Sequence, residues 1–306
     1  VELDKVPLKY PGMQAWEIWI SESQERMTLS VPATTWPEVS ALMQSRDVEA
    51  TIIGKFTNNG RCQVTYRGQS IMDIELEFLH NGLPKRQLQT RKPSDEWSRV
   101  NGQGSTEMQD NKPTDLATKI LNLLRSPNYC SNEFISQQYD HEVQGISVIK
   151  PLQGRGRVNG DVAVIRPVLK SKKGVILSYG LCPEYADAYD MAANAIDSAI
   201  RSAIAAGADM DKIAILDNFC WCSANEPERL YQLKASARAC YDYAIAYGTP
   251  FISGKDSMFN DFRGYDAEAN PVKISALPTL LISAISVIKD HRKVVSMDLK
   301  IPGDLL

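Results

Sequence analysis

Gly254-Lys255-Asp256-Ser257 is the stretch of this sequence best equipped to do chemistry. A glycine lets backbone approach a phosphate closely, an aspartate can hold a magnesium ion, and lysine and serine can bond phosphate oxygens. Taken alone, four such residues read first as a polar turn after a strand. Their surroundings change that. They follow the end of a helical pattern, a Gly248-Thr249-Pro250 turn and a short apolar strand, Phe251-Ile252. A second acidic residue, Asp217, ends the strand-like run Ile213-Ala214-Ile215-Leu216, and one helical stretch, roughly 227–247, separates the two sites. A strand–helix–strand crossover sets two carboxyl ends side by side, where α/β sheets bind ligands. Asp217 together with Gly254–Ser257 therefore points to a bound ligand, although an aspartate capping a loop is the plain alternative for Asp217 by itself.

The elements that must position these residues follow from pattern. In the second half of the chain, Gly160–Arg166 and Gly174–Tyr179 are β-branched runs bounded by glycine, hence buried strands. Between Asp187 and Ala206 a helical stripe of Ala192, Ile196, Ala199, Ile200, Ala203 and Ile204 stops at Gly207. The helix of 227–247 predicts a packed side of Leu230, Leu233, Ala237, Cys240 and Ala244. Upstream, near Pro113, the stretch Thr114–Leu121 reads as a capped helix with Thr114 and Asp115 as N-cap candidates. In the first half, Trp16–Ile20 and Met27–Val31 read as strands, Pro37–Ser45 as a helix, and Ala50–Phe56 and Cys62–Tyr66 as strands joined through Asn58-Asn59-Gly60. That makes a small α+β layer. From Gln87 to about Lys112 apolar residues nearly vanish, which predicts a polar linker.

Composition narrows the function class. The chain has 306 residues, 43% hydrophobic and 23% charged, enough for about two globular domains. Its net charge of -3 gives no overall attraction to nucleic acid or to an anionic membrane. The sequence has no apolar run of spanning length, and its start lacks the order of a signal peptide, so the expected location is cytoplasmic. Six scattered cysteines and three histidines assemble no metal-ligand spacing. His141, flanked by Asp140 and Glu142, is open to a general-base reading and to an orienting, salt-bridged one. The chain opens on Val1 and stops just after a strand-like run, so it is expected to be a piece of something longer.

Six short motifs then carry a resemblance. Glu22-Ser23-Gln24-Glu25-Arg26-Met27, Glu77–Gly82, Gln138–Val143, Gly160–Val164, Pro183-Glu184-Tyr185 and Gly254–Met258 occur in the order found in phosphoribosylformylglycinamidine synthase. The chain resembles the synthetase portion of that family, which belongs to the aminoimidazole ribonucleotide synthase superfamily. The resemblance implies a mixed α+β and α/β fold of ATP-binding N-type and C-type domains, with mixed sheets packed on helices. It implies residues 1–90 as the later part of a first C-type domain, 91–112 as linker, 113–268 as a second N-type domain, and 269–306 as the start of a second C-type domain. The implied reaction is conversion of formylglycinamide ribonucleotide, ATP and glutamine-derived ammonia to formylglycinamidine ribonucleotide, ADP and phosphate, in de novo purine biosynthesis. Ammonia comes from a glutaminase domain or subunit.

By position, the resemblance makes Glu22, Ser23, Gln24 and Ser257 substrate contacts and Asp217 and Gly254 ATP contacts, with Asp256 near Mg2+. The catalytic histidine belongs to the first N-type domain, so none of these residues is catalytic, His141 is orienting, and the chain alone is expected to be inactive. One departure matters. The shorter form of the family has an asparagine that helps hold magnesium where this chain has Lys255, and an ammonium cannot ligate a cation; Lys255 is then expected on phosphate. A nucleotide-binding structural or regulatory module of the same superfamily is the alternative. A homodimer is also expected, with Gly160–Arg166 and Gly174–Tyr179 as exposed edge strands.

Overall fold

The computed structural model describes residues 1–22, 26–94, 115–138, 141–142, 144–183, 185 and 187–303. They fall into two compact units, Val1–Gln87 and Leu88–Leu306.

In the first unit, α1 (Ala15–Ile20) and α2 (Trp36–Ser45) accompany a hairpin of β1 (Arg61–Tyr66) and β2 (Gln69–Glu75), followed by α3 (Leu76–Asn81). Leu3, Ile18 and Val64 form its small core. Three predicted strands are corrected here. Trp16–Ile20 is helical because Gln14 and Glu17 close a reciprocal capping box, Gln14 N donating to Glu17 Oε2 at 2.7 Å. Only Ile18 of that stretch is buried, and apolar residues on both sides had mimicked a strand. Met27–Val31 and Ala50–Phe56 form no strand. The partner of β1 is β2, because the turn lies at Arg67-Gly68, both left-handed (φ 50 and 74), as a two-residue hairpin turn requires. The competing Asn59 is spent on the strand start, where its Oδ1 accepts from Arg61 N at 3.1 Å.

The second unit is built on a six-stranded sheet. Its elements are α4 (Leu116–Arg125), α5 (Glu133–Ser136), β3 (Ser147–Ile149), β4 (Leu152–Gln153), β5 (Val158–Asn159), β6 (Val162–Ile165), β7 (Gly174–Leu181), α6 (Ala188–Ala205), β8 (Ile213–Cys220), α7 (Pro227–Tyr247), β9 (Phe251–Ser257), β10 (Asp261–Tyr265), β11 (Pro271–Ser275) and β12 (Thr279–Ile288). The sheet order is β3-β6-β7-β12-β8-β9, antiparallel except for β8 and β9, which run parallel across the α7 crossover. The mixed sheet on helices agrees with the expected fold. As expected, Asp115 caps α4 by accepting from Thr118 N at 2.7 Å.

One face of this sheet carries the core. Alternate residues Ile176, Ser178 and Gly180 of β7, Ile282 and Ala284 of β12 and Ile215 of β8 are buried against α6, whose Ala192, Ile196, Ala199, Ile200 and Ala203 are buried in turn. Burying an isoleucine side chain such as Ile196 stabilises by about 1.5–3 kcal/mol. The α6 backbone comes very close: Ser178 Oγ donates to Ala199 O at 2.6 Å, and a Cβ on Gly180 would lie 1.8 Å from Ala195 O. The predicted packed side of α7 is corrected. Ala237 is exposed, while Arg229, Gln232, Ser236, Ala239 and Cys240 are buried. The reason is proximity to α6, since Ser236 Oγ donates to Ala188 O at 2.9 Å and a leucine has no room there.

Four further expectations change. The second unit does not end near residue 268, because β12 is the central strand between β7 and β8. The supposed linker begins inside this unit: Arg91 N donates to Pro227 O at 3.1 Å and its guanidinium pairs with Glu228 at the start of α7; residues 95–112 lie outside the described set. Strands β6 and β7 are internal, and the edges are β3 and β9. Finally, Val164 is wholly buried on the helix side and offers nothing to a dimer interface; what the sheet exposes is its other face, with Leu177, Tyr179, Leu181 and Val287.

Gly180→Ala places a methyl group against helix backbone that cannot swing aside. The expected loss is about 1–3 kcal/mol or more of unfolding free energy, measured as a lower urea midpoint.

Candidate functional site

Parallel pairing brings the two predicted sites together. Asp217 pairs with Gly254, Phe219 with Asp256 and Cys220 with Ser257. Asp217 is the fifth of the eight residues of β8, and Gly254 the fourth of seven in β9, so both lie within strands and not just beyond them as the sequence predicts. Successive strand residues face opposite sides. Asp217, Gly254 and Asp256 therefore share the helix side, while Asn218, Lys255 and Ser257 share the open side. Lys255 and Asp256, expected to serve phosphate and metal together, are separated by the sheet.

The Asp217 carboxylate leans over Gly254. A Cβ at Gly254 would lie 2.7 Å from Oδ1 and 2.9 Å from Oδ2, so only glycine allows the carboxylate this position. Burial pushes the Asp217 carboxyl above its ordinary value, the Lys255 backbone N–H draws it partly back, and the nearby Asp256 charge pushes it up again. Beneath it in α7 the Cys240 thiol is pushed up to about 12 by burial and by Asp217, so it is a packing group and not a nucleophile. Among the described residues no lysine, arginine or histidine forms an ion pair with Asp217 or Asp256. Two neighbouring carboxylates without a protein cation favour a cation from solution.

No group of three or more His, Cys, Asp or Glu side chains among the described residues could hold a metal ion alone. That suits magnesium brought in with phosphate, which takes one or two carboxylates and keeps water and phosphate oxygens as its other ligands. The donor set thus fits a nucleotide-bridged ion better than a resident one. On the open side, Asn218 stands in register with Lys255, and its Oδ1 is buried without a hydrogen bond. This acceptor was missed from sequence, although it directly follows Asp217.

The remaining predicted residues separate. Glu22 lies exposed in the first unit, next to Ser21, whose O accepts from Arg26 Nη2 at 2.9 Å; Ser23 and Gln24 lie outside the described residues. His141 Nε2 is 3.5 Å from Glu142, whose carboxylate also takes Lys150 at 3.1 Å, the salt-bridged setting of the orienting reading.

Comparison with known proteins shows what the chain is similar to. Residues 1–67 match the family described as AIR synthase related protein, C-terminal domain. Phosphoribosylformylglycinamidine synthase subunit PurL of Picrophilus torridus is 29% identical over 310 residues, covering 100% of this chain and 39% of that protein. The same subunit from Methanocaldococcus jannaschii is 31% identical over 313 residues, covering 99% and 39%. Among solved structures, Thermotoga maritima PurL complexed with ADP superposes with a TM-score of 0.60 at 22% identity, over 97% of this chain and 43% of that one. Its complex with FGAR gives 0.57 at 22% identity, over 97% and 42%. The chain is similar along its whole length to a part of the PurL subunit and shares its fold, as the six motifs implied.

The raised Asp217 fixes the sign of a pH effect. A carboxyl that holds its proton more tightly when folded loses stability as pH rises through the ordinary carboxylate range toward the raised value, and the loss persists above it. Asp217→Asn is expected to unfold at a higher temperature than the parent at neutral pH, with the gap closing below about pH 4. A melting series across that range measures it.

Proposed function

We propose that this chain is part of the synthetase portion of phosphoribosylformylglycinamidine synthase, an ATP-dependent carbon–nitrogen ligase. The full reaction takes formylglycinamide ribonucleotide, ATP and ammonia from a glutaminase domain or subunit, and yields formylglycinamidine ribonucleotide, ADP and phosphate. The observation that carries this reading is the uncompensated carboxylate pair Asp217 and Asp256 beside the glycine that makes room for it. Such a pair suits a magnesium nucleotide, and magnesium would supply charge neutralisation of phosphate oxygens.

The chain's own residues divide the work by sheet face. Asp217 and Asp256 take the metal side of the nucleotide, and Gly254 leaves the space in which the Asp217 carboxylate stands. Ser257 and Lys255, on the opposite face, offer two donors to the ribonucleotide or its phosphate. The resemblance separately gives Glu22, Ser23 and Gln24 the role of substrate contacts. Proton transfer is assigned to a histidine in the first N-type domain of the parent enzyme, and residues 1–306 by themselves are assigned binding. The exposed apolar face of Leu177, Tyr179, Leu181 and Val287 suits a second copy of the chain.

Calorimetric titration tests the nucleotide reading. ADP with magnesium is expected to bind, and Asp217→Ala or Gly254→Ala to weaken it by about tenfold or more, equivalent to about 1.4 kcal/mol; equal affinity in all three chains refutes the assignment. With ATP, formylglycinamide ribonucleotide and ammonia, the chain is expected to give no product above a heat-killed control. Sedimentation is expected to show a dimer that Leu177→Lys dissociates.

A further inference from the structure

Beyond Ser257 the carboxyl ends of β8 and β9 are joined by more than the strand ladder. Trp221 N donates to Ser257 O at 2.8 Å, Asn260 N donates to Trp221 O at 2.9 Å, and Asn260 Nδ2 donates back to Ser257 O at 2.8 Å. Trp221 is wholly buried, and its Nε1 donates to Arg229 O in the first turn of α7 at 3.0 Å. Two side chains cross this junction: Asn260, whose Nδ2 also donates to Cys220 Sγ at 3.3 Å, and Asp261, which reaches further.

Its carboxylate is 3% exposed. Oδ2 accepts from Ser223 N at 3.0 Å, in the loop after β8. Oδ1 accepts from Ser275 Oγ on β11 and lies 3.7 Å from Lys273 Nζ, and Lys273 is also bonded to Glu226, the residue before α7. Burial pushes the Asp261 carboxyl up, but the Ser275 hydroxyl, the Lys273 charge and the Ser223 N–H outweigh it and hold the group below its ordinary value. The result is a buried anion binding the loop after β8 to the β10–β11 hairpin.

A buried charge is a poor source of stability, because desolvation offsets much of the attraction it gains, whereas its directional bonds fix geometry. Here the geometry being fixed lies next to the site: the loop held by Asp261 begins at Trp221, and Trp221 is bonded to Ser257. We propose that Asp261 is a positioning residue for the nucleotide site, locking Gly254–Ser257 of β9 against Asp217 of β8 through the loop 221–223. It touches neither nucleotide nor metal. This inference rests on the nucleotide reading above, and it extends that reading to a residue outside the binding motif.

The test uses the whole chain and three forms: parent, Asp261→Asn, and Asp261→Glu with Ser275→Gly, in which the longer carboxylate gains the space of the lost hydroxymethyl group. ADP with magnesium is titrated by calorimetry, with melting temperature and amide exchange recorded in parallel. Asp261→Asn is expected to melt within about 5 °C of the parent, to bind ADP about tenfold more weakly, and to exchange faster at 254–257 with α6 unchanged. The carboxylate-restoring double variant is expected to recover most of the affinity. Parent-like affinity in Asp261→Asn overturns the proposal, as does a loss matched by global unfolding or unrelieved in the double variant. If the parent itself binds no ADP, the nucleotide reading fails separately, and exchange at 254–257 still decides the lock: faster in Asp261→Asn supports it, unchanged refutes it.

Discussion

Parallel pairing of β8 with β9 is the constraint on which the candidate site depends. It is the sole parallel pair of the six-stranded sheet, and the long helix α7 returns the chain to make it. An antiparallel return would need only a short turn, whereas a parallel one must cross a full helix, which puts two strand ends at the same edge of the sheet. Register then does the rest. Asp217 meets Gly254, and because Gly254 has no side chain the carboxylate occupies the space a Cβ would take.

That arrangement is electrostatically unfavourable in the isolated fold. Asp217 is partly desolvated, sits near Asp256, and gets relief only from the Lys255 backbone N–H. Elsewhere in the same unit, carboxylates are well satisfied: Arg292 and its backbone N–H hold Asp290 far below the usual range, and Asp261 has three donors around it. The contrast within one unit separates carboxylates held by cations and hydroxyls from one, Asp217, without a cationic partner among the described residues.

Packing varies across the sheet. Over β7 the helix face is closed by α6 at distances that exclude even a methyl group at Gly180, whereas Gly254 and Asp256 on the edge strand β9 are exposed. The other face leaves Leu177, Tyr179 and Leu181 of β7 exposed and an orphaned Asn218 acceptor beside Lys255. Along β9, glycine and aspartate alternate on one side with lysine and serine on the other.

The sequence by itself determined the elements whose periodicity is least disturbed: α6, with its stripe buried except for the exposed Ile204, the β-branched strands β6 and β7, and the crossover that joins Asp217 to Gly254. It also carried the family resemblance, since short motifs in order survive without any knowledge of packing. Tertiary structure decided what pattern could not. Trp16–Ile20 became a helix because a capping box outweighed its strand-like residues. The packed side of α7 turned out polar, with Arg229, Gln232 and Ser236 inside, because closeness to α6 selects by size and hydrogen bonding and not by hydropathy. The place of β12 between β7 and β8 was invisible because strand order is a long-range property with no local signature. For the same reason Asp261 and Asn218 read as ordinary polar residues in sequence: their significance lies in which distant groups surround them, and only the folded chain supplies those.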